Sequence, residues 1–283
     1  MKDKAFQTSA IKEGRSLSGI HYRLTSSGPG RQTLVLVMGY GGSLRIWPQS
    51  FIDRLSTIYD VLTYDNRGTG LSFLPPGEED YTTETMAGDL DSVVESLGLS
   101  HFHLLGYSMG GCIAIEYAHL YRQKVASLFL LSTTGGGALF HRPDRALSGA
   151  LANPQGNSLW ALYEWTFKLM YSDEAYTRVE PVLKTLFEAA KDTPTKPQAL
   201  KGHSHAFKHF NGENYLDKLT MPVTLLSGEN DRIMPVANTL ALAKALPQAK
   251  VVIVPGVEHG VHIECESLVV EEINELIARR SGS

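Results

Sequence analysis

The chain is poor in several things. It has two cysteines in 283 residues, Cys112 and Cys265, so a single disulfide is the most the chain can form, and two reduced, largely buried thiols are expected. No block of lysine or arginine stands out against a net charge of −4, and the basic footprint of a nucleic-acid binder is missing. The best apolar runs, Thr33–Met38, Ser127–Leu131 and Val251–Val254, are strand-length, far short of the roughly 20 residues a membrane span needs. The first residues, MKDKAFQTSAIKEGR, hold neither an apolar stretch nor a small-residue cleavage signal, which predicts a cytoplasmic protein. Gly135-Gly136-Gly137 lacks the Lys-Ser/Thr that would complete a phosphate loop and reads better as a hinge. His203, Ser204, His205 and His209 have no cysteine or carboxylate nearby to complete a metal set, and a helix places only His205 and His209 on one face. No metal or other cofactor is expected.

What is present is strand–helix alternation. Apolar residues make up 43% of the chain, enough for a core, and the length suits one large α/β domain or one carrying an insertion. Ala5–Ile11 and Leu17–Thr25 read as a hairpin around Lys12-Glu13-Gly14-Arg15. Thr33–Met38, Tyr59–Tyr64, His101–Leu105 and Val125–Leu131 follow as buried strands, separated by helices Ile46–Leu55, Tyr81–Leu97 and Met109–Tyr121. From about 135 to 219 the pattern is helical only (Leu159–Tyr171, Ala175–Ala190, Pro197–Phe210), with Pro181 placed to kink or restart the second helix. Strand Val223–Ser227, helix Val236–Leu246, strand Lys250–Val254 and helix Cys265–Arg279 complete the chain. The alternation implies a mostly parallel sheet covered on both faces by helices, and the helical stretch reads as a lid over the strand ends.

Gly106-Tyr107-Ser108-Met109-Gly110-Gly111 lies between a buried strand and a helix. A GxSxG pentapeptide alone is a weak signal, and a capping serine is the bland alternative. In this setting it describes a sharp turn that lifts the serine hydroxyl clear of the sheet, with glycines where side chains would collide. The helix N-terminus adds free N–H groups where an oxyanion would form. Serine is a weak nucleophile, so a base and a group orienting that base should follow. Strand Val223–Ser227 runs into Gly228-Glu229-Asn230-Asp231-Arg232-Ile233-Met234-Pro235, and strand Lys250–Val254 into Pro255-Gly256-Val257-Glu258-His259-Gly260.

GYSMGG, GENDRIMP, PGVEHGVHIE and the turn Asp65-Asn66-Arg67-Gly68-Thr69-Gly70-Leu71-Ser72 together resemble the α/β-hydrolase superfamily over nearly the whole chain. The resemblance implies an α/β-hydrolase fold: a mostly parallel eight-stranded sheet flanked by helices, with a helical lid inserted after the sixth strand. The core would be residues 1–137 and 215–283, and the lid 138–214. By the same resemblance Ser108 is the nucleophile, Asp231 the acid and His259 the base. Glu229, two residues from Asp231, remains an alternative acid. Glu258 stands where a small residue is common in the family, His262 reads as a structural histidine, and Asp65 and Arg67 read as organisers of their turn.

Where many relatives carry His-Gly, this chain has Met38-Gly39-Tyr40-Gly41-Gly42. An oxyanion hole needs backbone N–H groups, and those of Tyr40 and Met109 are the candidates. The Met-Gly-x-Gly form is similar to esterases of polyketide-type esters, the aclacinomycin methylesterases and macrolide esterases. That implies a cofactor-independent serine esterase or lactonase whose partner is a small-molecule substrate such as a bulky lactone. Gly39, Trp47, Tyr107, Trp160 and Tyr163 are the candidate pocket residues, since small-molecule sites are mostly apolar. The same triad also serves carbon–carbon bond hydrolysis, aminopeptidase action and perhydrolysis, and the scaffold can act as a ligand receptor without turnover.

Overall fold

The structure, a computed structural model, describes residues 10–280, the side chain of Arg280 excepted. Eight strands form one sheet: β1 (Ala10–Arg15), β2 (His21–Ser26), β3 (Thr33–Val37), β4 (Asp60–Tyr64), β5 (Phe102–Tyr107), β6 (Val125–Leu131), β7 (Val223–Gly228) and β8 (Lys250–Val254). Their spatial order is β1-β2-β4-β3-β5-β6-β7-β8. The first two pairings, β1 with β2 and β2 with β4, are antiparallel, and all others are parallel. The central strands β3, β5, β6 and β7 are buried along their whole length, as their continuous apolar sequences require of a sheet covered on both faces.

Helices α1 (Gln49–Ser56) and α10 (Glu266–Arg280) cover one face, and α2 (Thr83–Ser96) and α3 (Met109–Leu120) the other. In α2 the helically spaced Met86, Leu90, Val93 and Val94 are all 1% exposed or less. Each such side chain contributes about 1.5–3 kcal/mol of apolar burial. A reciprocal capping box between Thr82 and Thr85 starts the helix. The remaining helices are α4 (Arg145–Ala152), α5 (Leu159–Lys168), α6 (Asp173–Ala190), α7 (Pro197–His209), α8 (Ala237–Ala245) and the short α9 (Val261–Glu264).

Four readings of the sequence need correction. The hairpin does not turn at Lys12–Arg15: Lys12 pairs with Leu24 and Arg15 with His21, and the chain reverses over residues 16–20. β1 is an exposed edge strand, so its charged side chains cost nothing there, and Gly14 serves to let the Tyr22 ring lie against the strand. The Ala5–Ser9 part of the expected strand lies outside the described residues. Pro48 delays α1 to Gln49, leaving Leu44–Ile46 as a separate 3-10 turn capped by the Ser43 side chain. α4 was not expected; the Asp144 side chain caps it, accepting from the Leu147 N–H at 2.8 Å. Pro181 neither breaks nor restarts α6, which runs through it with the ring on an exposed face.

Helices α4–α7 all fall between β6 and β7. The two ends of this insertion meet where Gly136 and Asn211 form an antiparallel bridge and the Gly212 N–H donates to the Gly135 carbonyl at 2.9 Å. Inside the insertion, Phe167, Tyr171, Tyr176, Val179, Leu183 and Leu186 pack into a core of their own. Ser108 follows β5, Asp231 follows β7 and His259 follows β8, so the parallel strands bring three distant loops to one edge of the sheet.

Candidate active site

Ser108 joins β5 to α3 with φ 54° and ψ −125°. A non-glycine residue in that region costs about 1–3 kcal/mol and persists only where its surroundings over-determine it. Here they do. The Ser108 N–H donates to the Leu131 carbonyl at 2.9 Å, and the Ser108 carbonyl accepts from the Gly111 N–H at 2.9 Å and the Thr133 hydroxyl at 2.6 Å. The flanking glycines are needed for close approach. A Cβ on Gly106 would stand 2.5 Å from the Gly110 carbonyl oxygen, and one on Gly110 would stand 2.2 Å from that of Val37.

The loop after β7 turns back on its own carboxylate. Asp231 Oδ1 accepts from the N–H groups of Ile233 (2.9 Å) and Met234 (2.7 Å), while Oδ2 lies 2.8 Å from His259 Nδ1. With Oδ1 taken up by two backbone donors, Oδ2 faces Nδ1 as an acceptor, so Nδ1 carries the ring proton and Nε2 is left as an acceptor. Nε2 lies 3.1 Å from Ser108 Oγ. Ser108, Asp231 and His259 are 7%, 3% and 3% exposed, so these three groups meet in a medium of low dielectric. Glu229 instead accepts from the Gly256 N–H at 3.2 Å, and Glu258 pairs with Arg232 at 3.1 Å. Neither carboxylate is at the imidazole.

Beside Ser108 runs the loop that follows β3. A Cβ on Gly39 would meet Ser108 Cβ and the Tyr107 carbonyl at 3.0 Å and Met109 N at 3.6 Å, which places Gly39 against the start of α3. The Gly42 N–H donates to the Gly39 carbonyl at 3.2 Å, closing a tight turn with Tyr40 and Gly41 at its centre. Only Gly41 of the two has positive φ, +64°, the signature of a type II turn. Because the Gly39–Tyr40 peptide is planar and trans, that hydrogen bond also sets the opposite direction of the Tyr40 N–H. The Tyr40 side chain itself is 49% exposed. Residues of the Asp65 turn hold the loop from below. Asn66 Nδ2 donates to the Met38 carbonyl at 2.9 Å, and Asp65 Oδ1 accepts from the Leu44 N–H at 2.8 Å. Arg67 is buried and paired with Asp89 at 2.6 Å.

The remaining candidates divide. Trp47 and Tyr107 are as buried as the site residues themselves, 3% and 4% exposed, and pack into the apolar cluster around them. Trp47 stacks on Phe51, and the Tyr107 ring lies 5.1 Å from His259 and 4.3 Å from His262. His262 is 1% exposed, and burial together with His259 pushes its pKa down to about 3. Trp160 and Tyr163, both half-buried on α5, meet Phe187 of α6 at 5.1 and 5.4 Å, and so pack within the insertion. His205 and His209 lie ring to ring at 4.2 Å, whereas His203 is buried apart from them. Among the described residues no three His, Cys, Asp or Glu side chains gather as metal ligands. Both cysteines are free, Cys112 buried and Cys265 half-buried. No helix among the described residues is long and apolar enough to cross a membrane.

A family model described as the alpha/beta hydrolase fold matches residues 32–265, a span that takes in every residue of this site. The chain belongs to the α/β-hydrolase family. It is 30% identical over 243 residues to RutD of Pseudomonas savastanoi pv. phaseolicola, provisionally named a carbamate hydrolase, covering 81% of this chain and 86% of that one. The esterase RhEst1 from Rhodococcus sp. ECU1013 superposes with a TM-score of 0.79 at 21% identity, over 95% of this chain and 98% of its own. The enol-lactonase from Burkholderia xenovorans LB400 does so with a TM-score of 0.79 at 21% identity, over 94% and 100%. At that identity these two structures speak for the fold alone.

Sequence reasoning missed the residues that steady the site: Thr133 under Ser108, Asn66 under Met38, and Thr195 and His203 at Gly41. Asn66 had a signal, since it lies in the turn motif that the family shares. The other three stand in no motif.

Proposed function

We propose that this α/β-hydrolase is a serine hydrolase that cleaves a carboxylic ester or lactone through an acyl-enzyme, without a cofactor. The observation that carries the reading is the placement of His259 between Ser108 Oγ and Asp231 Oδ2 at 3.1 and 2.8 Å. Ser108 Oγ attacks the acyl carbon while His259 Nε2 takes its proton, and Asp231 stabilises the imidazolium that results. The carbonyl oxygen becomes an oxyanion held by the N–H groups of Tyr40 and Met109. Its collapse breaks the bond to the alkoxy oxygen, which leaves with the proton from His259. A water molecule, deprotonated by the same nitrogen, then releases the acid and restores the serine.

Helices α4–α7, as a lid spanning 138–214, would shape the acyl and alcohol pockets. With Ser108 only 7% exposed, a macrolide ring reaches it only if what covers the site rearranges, so small esters and lactones fit more readily. A carbamate is the second reading, favoured by the 30% identity to RutD. It asks for the same acyl transfer with a nitrogen in place of one carbon next to the carbonyl.

A hydrolysis panel of aryl esters, lactones, macrolides and carbamates, read by mass spectrometry, separates these substrates. Ser108→Ala should lower turnover by about 10⁵–10⁶-fold, and a fluorophosphonate probe should label wild type at Ser108 alone. Retained turnover in the variant overturns the serine mechanism. A wild-type protein that neither labels nor turns over any member of the panel would instead be a ligand receptor on this scaffold.

A further inference from the structure

Gly41, at the third position of the Gly39–Gly42 turn, is held entirely by the helical insertion. Its N–H donates to His203 Nδ1 at 3.1 Å, and its carbonyl accepts from the Thr195 hydroxyl at 2.7 Å. Leu200 closes the third side, within 2.7 Å of where a Gly41 Cβ would stand. Thr195 lies two residues before α7, and Leu200 and His203 are one turn apart on it. His203 is 0% exposed, and its other nitrogen, Nε2, lies 3.0 Å from the Arg67 carbonyl.

These partners leave His203 one protonation state. A backbone N–H can only donate and a carbonyl can only accept, so Nδ1 is bare and Nε2 carries the proton. The ring is therefore a neutral bridge. It spans from the turn after β3 to the turn after β4, and it is delivered by a helix that belongs to neither.

The group that His203 holds matters as much as the bond. Type I and type II turns differ by a flip of the central peptide, here Tyr40–Gly41, whose N–H is the one His203 accepts. The neighbouring peptide carries the Tyr40 N–H, the candidate oxyanion donor. Thr195 holds the next peptide, Gly41–Gly42, whose N–H donates to the Gly39 carbonyl and so sets the direction of the Tyr40 N–H; if these peptides are released and that bond opens, the donor loses its aim.

We propose that His203 and Thr195 are positioning residues that lock the oxyanion turn, so that the hole is complete only when the α7 segment is seated on Gly41. This rests on the serine-hydrolase reading for its kinetic consequence, but the contact itself can be tested without it. In an ester assay, Thr195→Val and His203→Gln should each lower kcat by between about 10-fold and about 100-fold, with KM within about threefold. Thr195→Ser should recover kcat to within about threefold. His203→Asn should recover more than His203→Gln, because the Asn oxygen falls where Nδ1 stands and the Gln nitrogen where Nε2 stands. Affinity for a trifluoromethyl ketone, which forms the tetrahedral adduct, should fall with kcat, while affinity for the acid product stays level.

Amide hydrogen exchange of residues 39–42 supplies the readout independent of activity, and it should quicken in Thr195→Val and His203→Gln. If both variants keep wild-type kcat and wild-type exchange, the proposal is wrong. If kcat falls only in proportion to folded protein, with KM and ketone affinity unchanged, the two residues are merely structural and the proposal also fails. Should wild type and Ser108→Ala turn over alike, the serine mechanism fails instead, and exchange at residues 39–42 still decides whether the α7 segment locks the turn.

Discussion

Replacing Asp231 by Asn separates charge from shape at the candidate site. The side chains are isosteric, so the Asn oxygen can still accept from Ile233 and Met234, whose N–H groups lie 2.9 and 2.7 Å from Asp231 Oδ1. The loss there is the charge-assisted part of two hydrogen bonds, about 1–2 kcal/mol. For a chain of this size that is a fall in Tm of a few degrees. At the other end the change is a reversal. The Asn amide would donate to His259 Nδ1, so the ring proton would move to Nε2, the atom 3.1 Å from Ser108 Oγ. A protonated Nε2 cannot accept the serine proton. The wrong tautomer is expected to cost about 10⁴-fold in kcat, equivalent to about 5.4 kcal/mol of barrier. The assay is aryl-ester hydrolysis with kcat and KM resolved, beside a thermal melt and the matching Glu229→Gln variant. Glu229 is engaged with the Gly256 N–H, so its loss should leave kcat within about twofold. An Asp231→Asn enzyme within tenfold of wild type, or a Glu229→Gln enzyme as crippled as expected for Asp231, would refute the assignment.

The other predictions concern packing and protons. Gly39→Ala places a methyl 3.0 Å from Ser108 Cβ and the Tyr107 carbonyl, so the oxyanion loop must shift by a few tenths of an ångström. A drop in kcat of about 10-fold to about 100-fold is expected in a folded protein, and a wild-type kcat would sink the placement of that loop. Burial holds His203 at about 4 and His262 at about 3, both below the ordinary 6.5. Between those values the unfolded chain binds protons that the folded one refuses. The stability from these rings is therefore complete above pH 6.5 and is lost as pH falls toward 4 and then 3. For His203 alone the loss is about 3 kcal/mol. Urea midpoints at pH 7, 5 and 4 should fall in wild type and fall less in His262→Phe, and midpoints level from pH 7 to 4 would contradict the two depressed pKa values.

Much of the fold was legible because a parallel sheet covered on both faces demands continuous apolar strands, and β3, β5, β6 and β7 are such runs. Ser108, Asp231 and His259 stood out because each lies at a strand end in a motif that resembles the α/β-hydrolase family, and Gly106, Gly110 and Gly228 sit where another chain segment's backbone comes too close for a side chain. Local sequence was a poorer guide where the environment sets the answer. Lys12-Glu13-Gly14-Arg15 looks like a turn yet forms an exposed edge strand, where charge is free and Gly14 accommodates Tyr22. Trp47 and Tyr107 stand next to site residues in the chain, but adjacency says nothing of which side of the backbone faces the core, and both are buried.

The sequence by itself determined the order of the strands and the sharp serine turn, through periodicity and short-range sterics, while the resemblance of its motifs pointed to Ser108, Asp231 and His259. Only the tertiary structure places Asp231 rather than Glu229 at the His259 ring, because two carboxylates two residues apart differ in the loop that aims them. Only it could bring His203 and Thr195 to Gly41 across 162 and 154 residues of chain. Contacts made by backbone N–H and carbonyl groups leave no trace in the identity of the residue that provides them. A turn with no side-chain chemistry of its own is therefore completed by a helix that no motif connects to it.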